Sequence, residues 1–234
     1  MTNSKITKPL PAPRLLARRP IIGLLMFLFG ALAFGGLLYN LRANGPLLAW
    51  DNTLANNLPA IALQGPAFLK GLMNAGFYLG KEYLIAMAIV LGLFFLVKRY
   101  WNELILLVVG LGGTSLFFSL LSNSIGRPRP STQIWILVKI PGFPSGHAMS
   151  VIVFYGLVAY LLAPKMPSLF WKIVVYAAAV LVIGFVGFSR VFTGGHYLTD
   201  ILAGYAVAIA WSGAAYTLVE MFFQERRLRN VKNK

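Results

Sequence analysis

Six long apolar runs are the feature that most restricts how this chain can fold. A helix needs roughly 20 predominantly apolar residues to cross a bilayer, and shorter runs reach that length when the helix extends into its flanking residues. Hydrophobic residues make up 58% of the chain and charged residues only 12%, too few to cover a water-facing surface. We therefore predict an all-α polytopic membrane protein with about six transmembrane helices. The predicted spans are Pro20–Leu41, Tyr83–Val97, Leu104–Leu121, Ala148–Ala163, Ile173–Phe188 and Ile201–Val219.

The basic residues predict the orientation of these spans. The formal charge is +15, from 21 Lys and Arg against 6 Asp and Glu, and the basic residues lie mainly between the apolar runs. That pattern indicates anionic lipid headgroups rather than nucleic acid. With the amino terminus inside, 14 of the 21 basic residues fall in inside segments. We expect both termini to be cytoplasmic, in a cell (inner) membrane, with segments 122–147 and 189–200 on the outer face.

The remaining segments follow from composition. Residues 1–19 and 222–234 are predicted to be basic cytoplasmic tails that flank a six-span domain over 20–221, with its motif-bearing core over about 104–221. Segment 42–67 is rich in Asn, Pro and Gly and is predicted to be a loop. Segment 68–80 is apolar and is expected to lie along the membrane interface. The chain has no cysteine, which excludes disulfides, thiolate catalysis and Cys-ligated metals.

Polar chemistry is concentrated between the last two apolar runs, where Arg190, His196 and Asp200 occur within eleven residues. If the sixth helix begins near His196, that residue and Asp200 share one face, because they are four apart. A carboxylate bonded to one imidazole nitrogen fixes the tautomer and leaves the other nitrogen free as a nucleophile or base. Arg190 carries a planar cation suited to phosphate.

The chain's other histidine, His147, precedes the fourth apolar run. Ser145 is a predicted N-cap, which would aim its hydroxyl and the amides of Gly146 and His147 at an anion. Arg127 and Arg129 add two cations in a proline-stiffened loop. Two imidazoles, a carboxylate and several arginines are the groups required for phosphoryl transfer without a metal. His196 is the better nucleophile, since it has the carboxylate partner, and His147 is then the general acid.

These three stretches resemble the type 2 phosphatidic acid phosphatase superfamily, which also includes glucose-6-phosphatase and the vanadium haloperoxidases. Pro144–His147 matches its Pro-Ser-Gly-His motif, and Ser189, Arg190, His196 and Asp200 match its third motif. The resemblance implies a haloperoxidase-like helical core and a phosphohistidine at His196, oriented by Asp200, with His147 as the acid. It also implies that the phosphate is held by Arg129, Arg190, Ser145 and Gly146.

The first motif departs from the family pattern, which has a lysine seven residues before its arginine. Counted back from Arg129, that position is Ser122, which keeps a donor but loses the charge. We hypothesise that Arg127 or Lys139 supplies the missing cation.

Three functions stay open on the sequence alone. The first is a lipid phosphatase acting on a polyprenyl pyrophosphate such as undecaprenyl pyrophosphate, phosphatidic acid, phosphatidylglycerol phosphate or a lipid A phosphate. The second is a phosphotransferase in which a lipid or sugar hydroxyl takes the place of water. The third is a metal-binding transporter, since two histidines and an aspartate can form a facial metal triad. The arginines argue against the third, because they would repel a cation, and no cofactor is expected.

Overall fold

The protein is all-α, as predicted. A computed structural model describes residues 20–131 and 140–232, and these residues form eight α-helices, one short 3₁₀ turn and no strand. The helices are α1 Pro20–Arg42, α2 Leu47–Gln64, α3 Ala67–Gly80, α4 Glu82–Val97, α5 Trp101–Ile125, α6 Gly146–Leu162, α7 Leu169–Phe192 and α8 Leu198–Lys232, and the 3₁₀ turn is Ala163–Lys165.

The prediction of six spans is confirmed by length and hydropathy. Within the described residues, six helical segments are long and apolar enough to cross a membrane. Five of the six are longer than their predicted runs, because the helices continue into flanking residues, and the first, Ile21–Arg42, has the same length as its predicted run. The fourth predicted run, for example, ends at Ala163, whereas its span continues to Lys165. Helices α3 and α4 together make up one such segment, Ala67–Val97.

The prediction of a loop over 42–67 is wrong, because α2 occupies most of that segment. Its buried residues are Asp51, Ala55, Pro59 and Ala62, spaced four, four and three apart on one face of the helix. A proline inside a helix removes one backbone hydrogen bond and usually argues against the assignment. Here the buried face outweighs that cost.

Small side chains let α1 and α6 approach α8 closely. A Cβ atom added to Gly30 of α1 would lie 2.5 Å from the carbonyl oxygen of Ala206, and one added to Gly204 of α8 would lie 2.6 Å from that of Ser145. The small residues of the sixth span were predicted to serve close helix packing. These contacts confirm that role for Gly204 and Ala206.

Two predicted segments fall partly or wholly outside the described residues. The basic tail 1–19 lies outside them, and so does Lys139, the second candidate for the missing cation. The predicted carboxyl-terminal tail 222–234 is instead a continuation of the α8 backbone as far as Lys232.

Candidate active site

The three motifs meet at one end of the helical bundle. The loop after α5, the amino terminus of α6, the end of α7 and the beginning of α8 supply the site. A backbone hydrogen bond of 2.9 Å from Ser145 N to the carbonyl oxygen of Asp200 joins the second motif to the third. Gly126 ends α5 with φ of +68°, a left-handed conformation that turns the chain into the arginine loop.

His196 and Asp200 are neighbours, although not on one helical face as predicted. Helix α8 begins at Leu198, so that His196 precedes it and only Asp200 lies in its first turn. The Nδ1 atom of His196 lies 3.4 Å from Oδ2 of Asp200, beyond the length of an ordinary hydrogen bond. The same oxygen accepts a hydrogen bond of 3.0 Å from Tyr197 N, and this bond orients the carboxylate.

Arg129 contacts the other imidazole nitrogen. Its Nη1 lies 2.8 Å from His196 Nε2 and donates to the carbonyl oxygen of Gly195 at 2.7 Å, while its Nε donates to that of Ile140 at 3.0 Å. A guanidinium only donates, so Nε2 accepts and the proton of the neutral ring lies on Nδ1, facing Asp200. Burial lowers the pKa of Arg129, and the nearby charge of Asp200 opposes that shift.

The surroundings keep His196 neutral. Its side chain is fully buried, and burial lowers its pKa well below 6.5, with the positive charges of Arg129 and Arg190 adding to the effect. At neutral pH the ring is therefore unprotonated at Nε2. That is the form in which an imidazole can attack phosphorus.

Arg127 binds carboxylates instead of lining the cavity of the site. Its Nη1 donates to Asp200 Oδ1 at 2.6 Å, and its Nη2 donates to Asp51 Oδ2 at 2.7 Å. The guanidinium also stacks on the ring of Tyr197, 4.1 Å from the ring centroid. Asp51 in turn accepts hydrogen bonds from the amide and the hydroxyl of Thr199.

His147 and Arg190 both contact Phe77, a residue of α3. The Arg190 Cζ lies 4.7 Å from the centroid of the phenyl ring, and the His147 ring lies 5.3 Å from it, centroid to centroid. The two histidine rings are 6.4 Å apart. Among the described residues, His147 Nε2 and Arg190 Nε are buried atoms without a hydrogen-bond partner. Buried polar atoms are normally paired, so these two are available to a ligand.

Ser145 is the N-cap of α6, as predicted. Its hydroxyl accepts from Ala148 N at 3.4 Å, and its carbonyl oxygen accepts from Met149 N at 3.1 Å. The capping side chain of Ser145 is fully buried, whereas Gly146 and His147 line a cavity. Of the three residues predicted to face an anion at this helix end, Gly146 and His147 therefore face the cavity and Ser145 does not.

A cavity of about 820 Å³ joins the polar groups to an apolar groove. Its polar end is lined by Arg129, His147, Arg190 and Gly195. From there it continues between α4 and α5, along walls that are almost entirely aliphatic. The α4 wall consists of Leu84, Ile85, Ala88, Ile89, Gly92, Leu93 and Leu96.

Comparison with known proteins shows the family of this chain. The sequence profile of the PAP2 superfamily matches residues 103–224. The chain belongs to the PAP2 superfamily. It is 31% identical over 153 residues to phosphatidylglycerophosphatase B of Bacillus subtilis (strain 168), covering 64% of this chain and 74% of that protein. The crystal structure of the transmembrane PAP2-type phosphatidylglycerolphosphate phosphatase from Bacillus subtilis superposes with a TM-score of 0.67 at 27% identity, covering 87% of this chain and 96% of that one. This PAP2 protein is therefore a membrane-embedded phosphoric ester hydrolase.

Two residues of this PAP2 site escaped the sequence reasoning. Asp51 lies in α2, outside the residues that the family profile matches. Its four-residue spacing to Ala55, repeated from Ala55 to Pro59, indicates a helix with one buried face. Lys81 lines the same cavity as His147 and belongs to none of the three motifs. Its position between two apolar helices was the only indication.

Of the two predicted sources of the cation missing at Ser122, only Arg127 lies within the described residues. Ser122 itself is buried near the end of α5. Arg127 is bonded to two carboxylates, so its charge is already compensated. For the metal-binding alternative, the described part of this PAP2 chain contains no cluster of three His, Asp or Glu side chains that could hold an ion.

Proposed function

We propose that this protein removes the terminal phosphate of a membrane lipid through a phosphohistidine at His196. The main support is the cavity, because one continuous space joins His147, Arg129 and Arg190 to the aliphatic groove between α4 and α5, and His196 Nε2 contacts Arg129 at this end. Such a groove fits an acyl or prenyl chain that stays in the bilayer while its phosphate reaches the polar end. A soluble sugar phosphate would leave this groove unused.

The first chemical step is attack by His196 Nε2 on phosphorus. A P–N bond forms, the P–O bond to the leaving group breaks, and its electron pair stays on the leaving oxygen. The new phosphoimidazolium is cationic, and the carboxylate of Asp200 stabilises it from the Nδ1 side. Because Arg129 Nη1 bonds to Nε2, attack requires that this donor moves from the nitrogen to a phosphate oxygen.

His147 is the proposed general acid, which gives a proton to the leaving oxygen. Its unpartnered Nε2 and its place beside the nucleophile support this role. In the second step, water attacks the phosphohistidine, His147 takes a proton from the water, and phosphate is released. Arg129, Arg190 and the amino terminus of α6 would hold the phosphate oxygens in both steps.

Phosphatidylglycerol phosphate is the proposed substrate. The support is the function of the Bacillus subtilis phosphatidylglycerophosphatase that this chain resembles in sequence and in structure, together with the lipid-sized groove. A polyprenyl pyrophosphate fits the same groove and is the second substrate to test. The excess of basic residues in the segments assigned to the inside supports an extracytoplasmic site with both termini in the cytoplasm.

A substrate panel tests the proposed activity. Purified protein in detergent is incubated with phosphatidylglycerol phosphate, phosphatidic acid, a polyprenyl pyrophosphate and glucose 6-phosphate, with and without EDTA, and released phosphate is measured. We expect the lipids to be hydrolysed, the sugar phosphate to be spared and EDTA to have no effect. Rapid hydrolysis of the sugar phosphate alone, or activity lost with EDTA and restored by a divalent metal, would overturn the proposal.

Labelling with an alkaline SDS quench tests the assigned histidines. The wild-type protein should trap a base-stable, acid-labile phosphoenzyme from a ³²P-labelled lipid, whereas His196→Asn should trap none. His147→Asn should slow hydrolysis of lipid esters more than that of p-nitrophenyl phosphate, whose leaving group needs no proton. Equal slowing by His147→Asn of the phosphoenzyme-forming step with both substrates, measured in a single turnover, would remove it as the acid, because its role in the second step affects both substrates alike. Elution volume and thermal unfolding check that each variant is folded.

Tags on the termini test the orientation. We expect a tag at either end to be protected from protease in sealed right-side-out cells and cleaved after the membrane is opened. Cleavage in intact cells would place the site on the cytoplasmic face.

A further inference from the structure

Lys81 lies in the turn between α3 and α4, at the junction of the polar and apolar parts of the cavity. The backbone leaves the helical conformation here, with φ of −141° and ψ of −78°. Lys81 lines the cavity together with Arg129 and Arg190, and none of the described lining residues is a carboxylate. The α4 wall of the groove begins three residues later, at Leu84.

The position of this turn is fixed by the active-site helices. A Cβ atom added to Gly76 would lie 2.5 Å from Ser189 Oγ, and one added to Gly80 would lie 2.7 Å from Val186 Cγ1. The hydroxyl of Tyr155 donates to the Leu79 carbonyl oxygen at 3.1 Å. Helix α3 therefore cannot shift without moving α6 and α7. Although the Lys81 side chain is exposed, these contacts fix the position of its backbone relative to α6 and α7.

Lys81 lies on the leaving-group side of the cavity. The residue before it, Gly80, is the one that contacts His147, since its added Cβ would lie 3.2 Å from His147 Cδ2. The nucleophile His196 is bonded instead to Arg129. In an in-line transfer the leaving oxygen departs away from the nucleophile, towards the acid. A cation next to His147, the proposed acid, is therefore placed to bind the leaving group rather than the phosphoryl group that is being transferred.

The ammonium group of Lys81 is free to serve a ligand. Its ion-pair partner among the described residues is Glu82, at 3.6 Å, and the side chains of the pair are 57% and 43% exposed. Exposed pairs of this kind contribute little to stability. Lys81 can therefore exchange Glu82 for an anionic substrate group at small cost.

Resting on the proposed function, we propose that Lys81 is a specificity residue that binds a second anionic group carried by the leaving lipid. The ligand class is a lipid whose leaving group keeps its own negative charge. A polyprenyl pyrophosphate leaves as a monophosphate, and phosphatidylglycerol phosphate leaves as a phosphodiester. Phosphatidic acid leaves as neutral diacylglycerol and gives Lys81 no partner.

The test compares Lys81→Met with wild type on these three lipids at constant ionic strength. A hydrogen bond to a charged group in a partly exposed site predicts that kcat/KM falls roughly tenfold, or ~1.4 kcal/mol, for the two lipids with a charged leaving group. The value for phosphatidic acid should stay within about twofold. Lys81→Arg should retain most of the activity on all three. Lys70→Met, which removes a charge from α3 outside the cavity, is the matched control.

The outcomes separate this proposal from the proposed function. Equal losses by Lys81→Met on all three lipids, or no loss on any, would overturn the specificity role. A wild-type enzyme that hydrolyses phosphatidic acid but neither lipid with a charged leaving group would overturn it too, while the lipid phosphatase activity stands. Failure of the wild type on every lipid would instead overturn the proposed function.

Discussion

Asp51 is predicted to be the main support of the catalytic carboxylate from outside the motif-bearing helices. It is fully buried, its partner Arg127 is 9% exposed, and the closest approach between them is 2.7 Å. Removing one member of a buried ion pair typically costs about 3–5 kcal/mol, because the remaining charge is left without compensation. In Asp51→Ala, Arg127 still has Asp200, which favours the lower end of that range. The Thr199 amide also loses its acceptor.

We therefore expect Asp51→Ala to lower the free energy of unfolding by ~3 kcal/mol. Asp51→Asn keeps an acceptor for Thr199 and should lose less, ~2 kcal/mol. The measurement is SDS-induced unfolding in mixed micelles, followed by tryptophan fluorescence. Asn52→Ala, an exposed neighbour on the same helix, is the control and should change stability by less than about 0.5 kcal/mol.

A double-mutant cycle with Arg127→Met isolates the pair itself. Because Asp51 and Arg127 are in direct contact, their effects should be non-additive by at least ~1 kcal/mol. The kcat of the folded fraction should fall in Asp51→Asn, since Arg127 then loses one of its two anchoring ion pairs and positions Asp200 less firmly. Additive effects within about 0.5 kcal/mol, or a stability loss no larger than that of Asn52→Ala, would refute the reasoning.

Three further predictions concern the same end of the bundle. Burial lowers the pKa of His196 well below 6.5, so the unfolded state binds more protons than the folded state as pH falls below that value. Stability should be complete above about pH 6.5 and decrease below it by at most ~1.4 kcal/mol per pH unit, and an equally steep decrease in His196→Asn would contradict this. Ser145→Ala should cost ~1 kcal/mol through loss of the N-cap, with Ser145→Thr largely retaining stability, and equal unfolding of both variants would argue against capping. Gly204→Ala should cost ~1–3 kcal/mol because its Cβ would meet the Ser145 carbonyl oxygen, whereas Gly184→Ala, which has open space, should be neutral or stabilising, and equal effects would exclude the steric explanation.

The parts of the fold that could be predicted depend on local sequence. Apolar length alone located six membrane-length segments, and the N-cap at Ser145 follows from residue type at a helix boundary. The Asn, Pro and Gly content of segment 42–67 favours a loop, whereas the spacing of its small and polar residues favours the helix that forms. The four-residue interval from Asp51 through Ala55 to Pro59 indicates a helix with one buried face.

The parts that could not be predicted depend on long-range contacts. Asp51 and Thr199 are hydrogen-bonded across 148 residues of sequence, and no local pattern encodes that distance. The placement of Lys81 next to His147 likewise requires the packing of α3 against α6 and α7. Residue type showed which groups could do chemistry. Only the assembled helices show which of them face the cavity.

The two arginines of the loop after α5 illustrate this limit, because their different environments suit different tasks. Arg127 donates to carboxylates from both terminal nitrogens, so any movement of its guanidinium breaks a buried ion pair. Arg129 is held by the neutral carbonyl oxygens of Gly195 and Ile140, and its contact with His196 Nε2 is one that a phosphate oxygen can replace. Asp51, Arg127, Asp200, His196 and Arg129 thus form one chain of contacts, fixed at the Asp51 end and exchangeable at the Arg129 end. A nucleophile needs both properties, since its carboxylate must stay in place while the donor that covers its lone pair moves to the substrate.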